Sequence, residues 1–166
     1  LELFGSLTAR ENLLVVGEID PRRVDAGDRW ADWPVSRRVD EVIGRCGLGA
    51  FAARRADELT TGQARLVELG RALMTRPRLL LLDEPASGLD SDETDEFAAL
   101  LGELAADGLG VLLVEHDVPL VMRVCSRIAV LDYGRVIADG DPDRVRSDPA
   151  VVAAYLGSAA TEGAGS

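Results

Sequence analysis

A chain of 166 residues, 47% of them hydrophobic, is long enough for one compact domain with a small appendage and too short for two independent ones. Its 18 basic and 29 acidic side chains leave a net charge of −11, a field that repels phosphate backbones and anionic lipid surfaces and so argues against nucleic acid as a partner. No apolar run approaches the ~20 residues needed to cross a bilayer, so a soluble, cytosolic chain is expected.

The opening reads as mid-domain, because Leu1, Leu3, Phe4 and Leu7 are more apolar than a free terminus tolerates. Thr8-Ala9-Arg10-Glu11 has the spacing of a capping box and predicts a helix start. Residues 20–34 turn to Pro, Gly, Asp and Arg around Trp30 and Trp33 and read as a loop. A helix is expected over about 35–45, broken by Gly47-Leu48-Gly49. With no convincing strand before Glu58, residues 1–58 read as a small helical lobe.

From Leu59 helices and strands alternate. Leu66, Leu69, Gly70 and Leu73 recur at helical spacing, opened by Thr60 or Thr61 as cap and closed before Pro77. Leu79–Leu82 is an apolar run of strand length and predicts a strand buried on both faces, ending at Asp83. A helix beginning near Ser91 carries Asp92, Glu93, Asp95 and Glu96 in its first turns, where carboxylates favour the positive end of the helix dipole. Val111–Val114 is a second expected strand, 117–125 a short helix and Ile128–Leu131 a third strand; Tyr133-Gly134 then turns back into Val136-Ile137-Ala138 as a hairpin. This order implies parallel neighbours in an α/β layered sheet over residues 59–157, with a low-complexity, disordered tail at 158–166.

Ligands of parallel α/β sheets bind at the carboxyl ends of the strands. Two strands here end in charged residues: Asp83-Glu84 after Leu82, and Glu115-His116-Asp117 after Val114. An apolar strand ending in Asp-Glu suits phosphoryl transfer, since the first carboxylate holds Mg²⁺ through water and the second orients an attacking water. Alone, the acidic pair is equally compatible with a structural strand end; His116, at the end of a neighbouring strand, weighs toward chemistry. Cys46 and Cys125 lack a CxxC partner or a second histidine and read as buried thiols rather than a zinc site or disulfide.

Together these stretches resemble the ATP-binding subunits of the ABC family. Leu79–Leu82 with Asp83-Glu84-Pro85 resembles the family's Walker B strand and catalytic glutamate, Ser87-Gly88-Leu89-Asp90 its D-loop, and His116 its switch histidine; Leu59-Thr60-Thr61-Gly62-Gln63 is similar to its LSGGQ signature, with Thr61 departing from the glycine of the consensus. The ending Ser147–Gly157 and the opening Leu3–Leu13 are similar to the corresponding stretches of branched-chain amino-acid importers.

The resemblance implies an α/β, P-loop NTPase-like ABC nucleotide-binding domain with a helical subdomain followed by a mainly parallel sheet core. It implies Glu84 and His116 as catalytic residues, Thr60, Gly62, Gln63 and Asp90 as nucleotide contacts, Asp83 as a water-mediated Mg²⁺ ligand, and ATP with Mg²⁺ as cofactors. A second ATP-binding subunit in a head-to-tail dimer and transmembrane permease subunits are the implied partners, which places the chain in the cytoplasm, peripheral to the inner face of the membrane. No GxxxxGK[ST] occurs and all 18 basic residues are arginine, so the lysine that cradles β- and γ-phosphates has no counterpart here. We therefore expect a C-terminal portion of such a subunit, lacking the phosphate-binding loop. The alternatives are a non-catalytic module that donates its signature motif to a complete partner, or an inactive remnant.

Overall fold

The computed structural model describes residues 3–19, 30 and 32–156. The expected loop at 20–34 and the expected tail at 158–166 fall largely or wholly outside them. The chain divides into two compact units, residues 1–114 and 115–166.

The first unit begins with three helices, α1 (Ala9–Ile19), α2 (Val35–Arg45) and α3 (Thr61–Met74), packed on one another. Their starts follow the sequence signals. Thr8 and Glu11 form the expected reciprocal cap, with the Thr8 N–H donating to Glu11 Oε2 at 2.8 Å and the Glu11 N–H donating to Thr8 Oγ1 at 3.1 Å. Leu13, Val39, Val42, Leu48, Val67 and Met74 are fully or almost fully buried among these elements. Gly17 allows the close approach of α1, because a Cβ there would lie 2.6 Å from Val35 and 2.8 Å from Met74. The turn before α1 is tied down by Asn12, which is itself buried. Trp30 is buried too, whereas Trp33 is half-buried with the Arg37 guanidinium 3.8 Å above its ring.

Strand β1 (Leu79–Asp83) follows, then α4 (Ser91–Ala106) and β2 (Gly110–Val114). β1 and β2 pair in parallel with Leu81 opposite Leu112 and Asp83 opposite Val114, so the two strand ends are neighbours as the sequence implied. Burial on both faces is not what the structure shows. Leu80 is buried, but Leu79, Leu81, Leu112 and Val114 on the other face are 55–66% exposed. The period of two in a strand sends alternate side chains to opposite faces, and among the described residues only one of those faces is covered.

The second unit contains α5 (Val118–Val124), β3 (Ile128–Asp132), β4 (Arg135–Gly140), α6 (Pro142–Arg146) and α7 (Pro149–Val151), continued by a π-helical turn at Val152–Leu156. The expected hairpin forms, with Tyr133 (φ 43°) and Gly134 (φ 75°) both left-handed at its tip, as a two-residue I′ turn requires. Within this unit β3, expected as a third parallel strand, pairs antiparallel with β4, and the strands of the described residues form two pairs, β1–β2 and β3–β4. A two-residue connection favours the antiparallel partner next in sequence. Ile128, Val145 and Val151 form this unit's core, with Val121, Met122, Cys125 and Ala138 packed against it.

Candidate functional site

The end of β1 holds the first candidate residues. Asp83 is its last residue and is exposed. Glu84 follows at φ 45°, a left-handed conformation that costs a branched or long side chain energy and that the surroundings must impose. What imposes it is visible: the Glu84 N–H donates to the Val114 carbonyl at 2.9 Å, and its own carbonyl accepts from the Ser87 N–H at 3.1 Å. One hydrogen bond beyond the end of β1, the chain is turned so that Pro85 goes inward while Glu84 stays at the surface.

The second cluster joins two helix N-termini. Thr60 caps α3, its Oγ1 accepting from the Gln63 N–H at 3.2 Å while Gln63 Oε1 accepts from the Thr60 N–H at 3.3 Å. Asp90 caps α4 in the same reciprocal way with Glu93, at 2.8 and 3.2 Å. The two caps touch. Gly62 is buried because the Glu93 carboxylate lies on it, so a Cβ at Gly62 would overlap that carboxylate. Gly88 (φ 81°) faces the Thr61 methyl, which would be 3.2 Å from a Cβ there. A groove of about 450 Å³ runs between α3 and α4, lined in part by Gly62, Gln63, Leu66, Leu89, Glu93 and Phe97.

His116 belongs to the second unit. Its side chain is 73% exposed, and that of Glu115 only 1%. Glu115 Oε2 accepts from the backbone N–H of His116 at 3.0 Å and of Asp117 at 3.4 Å, and lies 3.7 Å from His116 Nδ1. Asp117 in turn caps α5 through the Leu120 N–H at 2.9 Å. The single histidine of the chain thus sits outermost on a turn pinned by the acidic residues on either side of it.

The structure therefore brings Thr60, Gly62, Gln63 and Asp90 together and puts Asp83 and Glu84 side by side at the β1 end. Two participants had not been singled out from the sequence. Glu93 was read only as one of several acids in a helix's first turns, although the Asp90-x-x-Glu93 spacing is itself a capping-box signal. Glu115 stands in the sequence as part of the charged strand end Glu115-His116-Asp117, but that it is the buried member depends on the fold.

Residues 1–87 match the ABC transporter family, which is more than half of the chain. The chain belongs to the ABC transporter family. Residues 135–161 also match the family described as branched-chain amino acid ATP-binding cassette transporter. Among curated proteins of this family, the chain is 40% identical to the high-affinity branched-chain amino acid transport ATP-binding protein BraF of Pseudomonas aeruginosa, over 96% of this chain and 66% of BraF. Among solved ABC structures, the ADP conformation of the ATP-binding cassette MJ1267 aligns with a TM-score of 0.73 at 32% identity, over 92% of this chain and 64% of that one. The dimeric ATP-binding cassette MJ0796 bound to ADP and Pi aligns at 0.68 and 29% identity, over 85% of this chain and 59% of that one. The chain thus spans slightly less than two thirds of the length of these ABC proteins.

Proposed function

We propose that this chain is part of an ATP-binding, ATP-hydrolysing subunit of an importer for branched-chain amino acids. The observation that carries the reading is that one chain holds both family matches, residues 1–87 to ABC transporters and 135–161 to the branched-chain amino-acid type. The geometry at the β1 end supports the chemistry. A carboxylate on a turn held by Val114 is positioned in advance to orient a water for in-line attack on a γ-phosphate. Mg²⁺ keeps several of its waters and takes few protein carboxylates, so the exposed Asp83 fits it; the ion would neutralise charge on the phosphate oxygens. His116 enters the reading through its resemblance to the family's switch histidine, as a contact of the γ-phosphate. No helix among the described residues is long and apolar enough to cross a membrane, so contact with the bilayer would run through permease subunits.

Thr60, Gln63 and the α3 N-terminus would meet the nucleotide of a second ATP-binding subunit, since free N–H groups at a helix start favour an anion. Gly62 would take part through its backbone, with the Glu93 carboxylate lying where a side chain would otherwise stand. The same turn underlies a second reading, in which the chain donates this motif to a complete partner without hydrolysing ATP itself. In this reading the division into a helical lobe at 1–58 and a core at 59–157 marks the part facing the permease and the part facing nucleotide.

Mg²⁺-dependent ATP hydrolysis and ATP affinity of the purified chain, beside Glu84→Gln and His116→Ala, separate the two. Turnover that either substitution lowers by about 100-fold or more supports the hydrolytic reading. Absence of binding and turnover, together with stimulation of a complete ATP-binding subunit, supports the second.

A further inference from the structure

We propose that Glu93 is a positioning residue that couples the Thr60–Gln63 turn to the Ser87–Asp90 turn within one chain, so that neither moves without the other. The functional meaning of those turns rests on the reading above; the coupling does not.

Two independent contacts join the turns. Glu93 accepts the Asp90 N–H through Oε2 while its own N–H donates to Asp90 Oδ1, which fixes the carboxylate over the start of α4. The same carboxylate rests on Gly62 in the first turn of α3, where only a glycine leaves room for it. A negative group there is near the positive ends of two helix dipoles at once, which favours its staying. On the other side of the joint the Thr61 methyl closes on Gly88, whose φ of 81° holds the second turn in a shape that few other residues adopt. Thr61 thus fills, with a methyl group, a space that a glycine would leave open. A displacement of the α3 start would press on the carboxylate or release it, and the capping box at Asp90 would follow.

Residue-resolved amide hydrogen exchange on the whole chain tests this without nucleotide. Glu93→Ala is expected to speed exchange at Asp90 and Thr94, as loss of any cap would, and also at Gln63 and Ala64 of the other helix, each by about tenfold. Gly62→Ala is expected to do the reverse, loosening Asp90 and Glu93 from a substitution made on α3. Glu93→Gln, which keeps the shape and an acceptor oxygen, should stay within about threefold of the parent chain and serves if the alanine variant does not fold. An effect of Glu93→Ala confined to α4, or of Gly62→Ala confined to α3, overturns the proposal. Because exchange needs no ATP, its failure would leave the hydrolytic reading standing, and a chain that never binds ATP would still show the coupling.

Discussion

The side-chain amide of Asn12 pairs with the main chain of Phe4 in both directions: its Oδ1 accepts the Phe4 N–H at 2.9 Å, and its Nδ2 donates to the Phe4 carbonyl at 3.1 Å. Nδ2 also reaches the carbonyls of Leu7 at 3.4 Å and Thr8 at 3.0 Å, so one buried side chain holds the whole approach to α1. Asn12→Ala leaves the Phe4 N–H without its acceptor, while the three carbonyls keep backbone N–H partners, and is expected to cost about 2 kcal/mol in urea unfolding. Asn12→Asp should cost at least as much, because an ionised carboxylate accepts from Phe4 but cannot donate to three carbonyls.

Burial pushes the Cys46 thiol up to about 12, and the neighbouring Arg45 only partly offsets it. The folded chain should therefore leave Cys46 unmodified by iodoacetamide at pH 8 while Cys125, raised by a lesser burial, reacts first. Mass spectrometry of the alkylated chain before and after addition of urea reads this directly; equal labelling of both thiols in the folded chain contradicts it.

Arg127 grips Asp139 with two hydrogen bonds, 2.9 and 2.8 Å, and this holds the Asp139 carboxyl below its usual range; the Thr8 N–H and hydroxyl do the same for Glu11. A carboxylate whose folded value is depressed contributes stability above its unfolded value and loses it as pH falls through the folded one. Urea midpoints should therefore fall on acidification below about pH 4, and Asp139→Asn should flatten that part of the profile while leaving the neutral end lower than in the parent. A profile unchanged by the substitution would mean the pair is broken in solution.

At the hairpin tip Tyr133 is 99% exposed, so its ring buries nothing while its backbone carries a left-handed φ. Asn adopts that conformation more readily, and Tyr133→Asn should raise stability by roughly 0.5–1 kcal/mol in thermal or urea melts.

Much of this was readable in the residues. Thr8 with Glu11 announces its helix through spacing alone, because a cap is a contact between residues three apart; at α3 the sequence leaves Thr60 and Thr61 both open as caps, and the structure selects Thr60. The tight turn at Tyr133-Gly134 is legible for the same reason. The roles of Asn12, Glu115 and Glu93 were not: Asn12 and Glu115 bond to main-chain groups within eight residues through a turn shape that spacing does not encode, and Glu93 meets Gly62 only when a distant helix comes alongside. The strand Leu79–Leu82 misled in an instructive way: its composition is that of a strand covered twice, and only the pairing partner and the layers around it decide whether it is. Likewise Ile128–Leu131 reads identically whether its partner is parallel or antiparallel, and the short turn after it decided the matter.

The left-handed seat of Glu84 carries a consequence for anyone who breeds this chain for heat resistance. A screen that scores only survival at high temperature would reward glycine there, which occupies φ 45° without strain and keeps the N–H that reaches Val114. The winners would be hardier and, if the carboxylate does the work assigned to it, chemically mute. Position 84 should be held out of any such library, and variants that arise there unbidden would report which of the two demands the sequence had been serving.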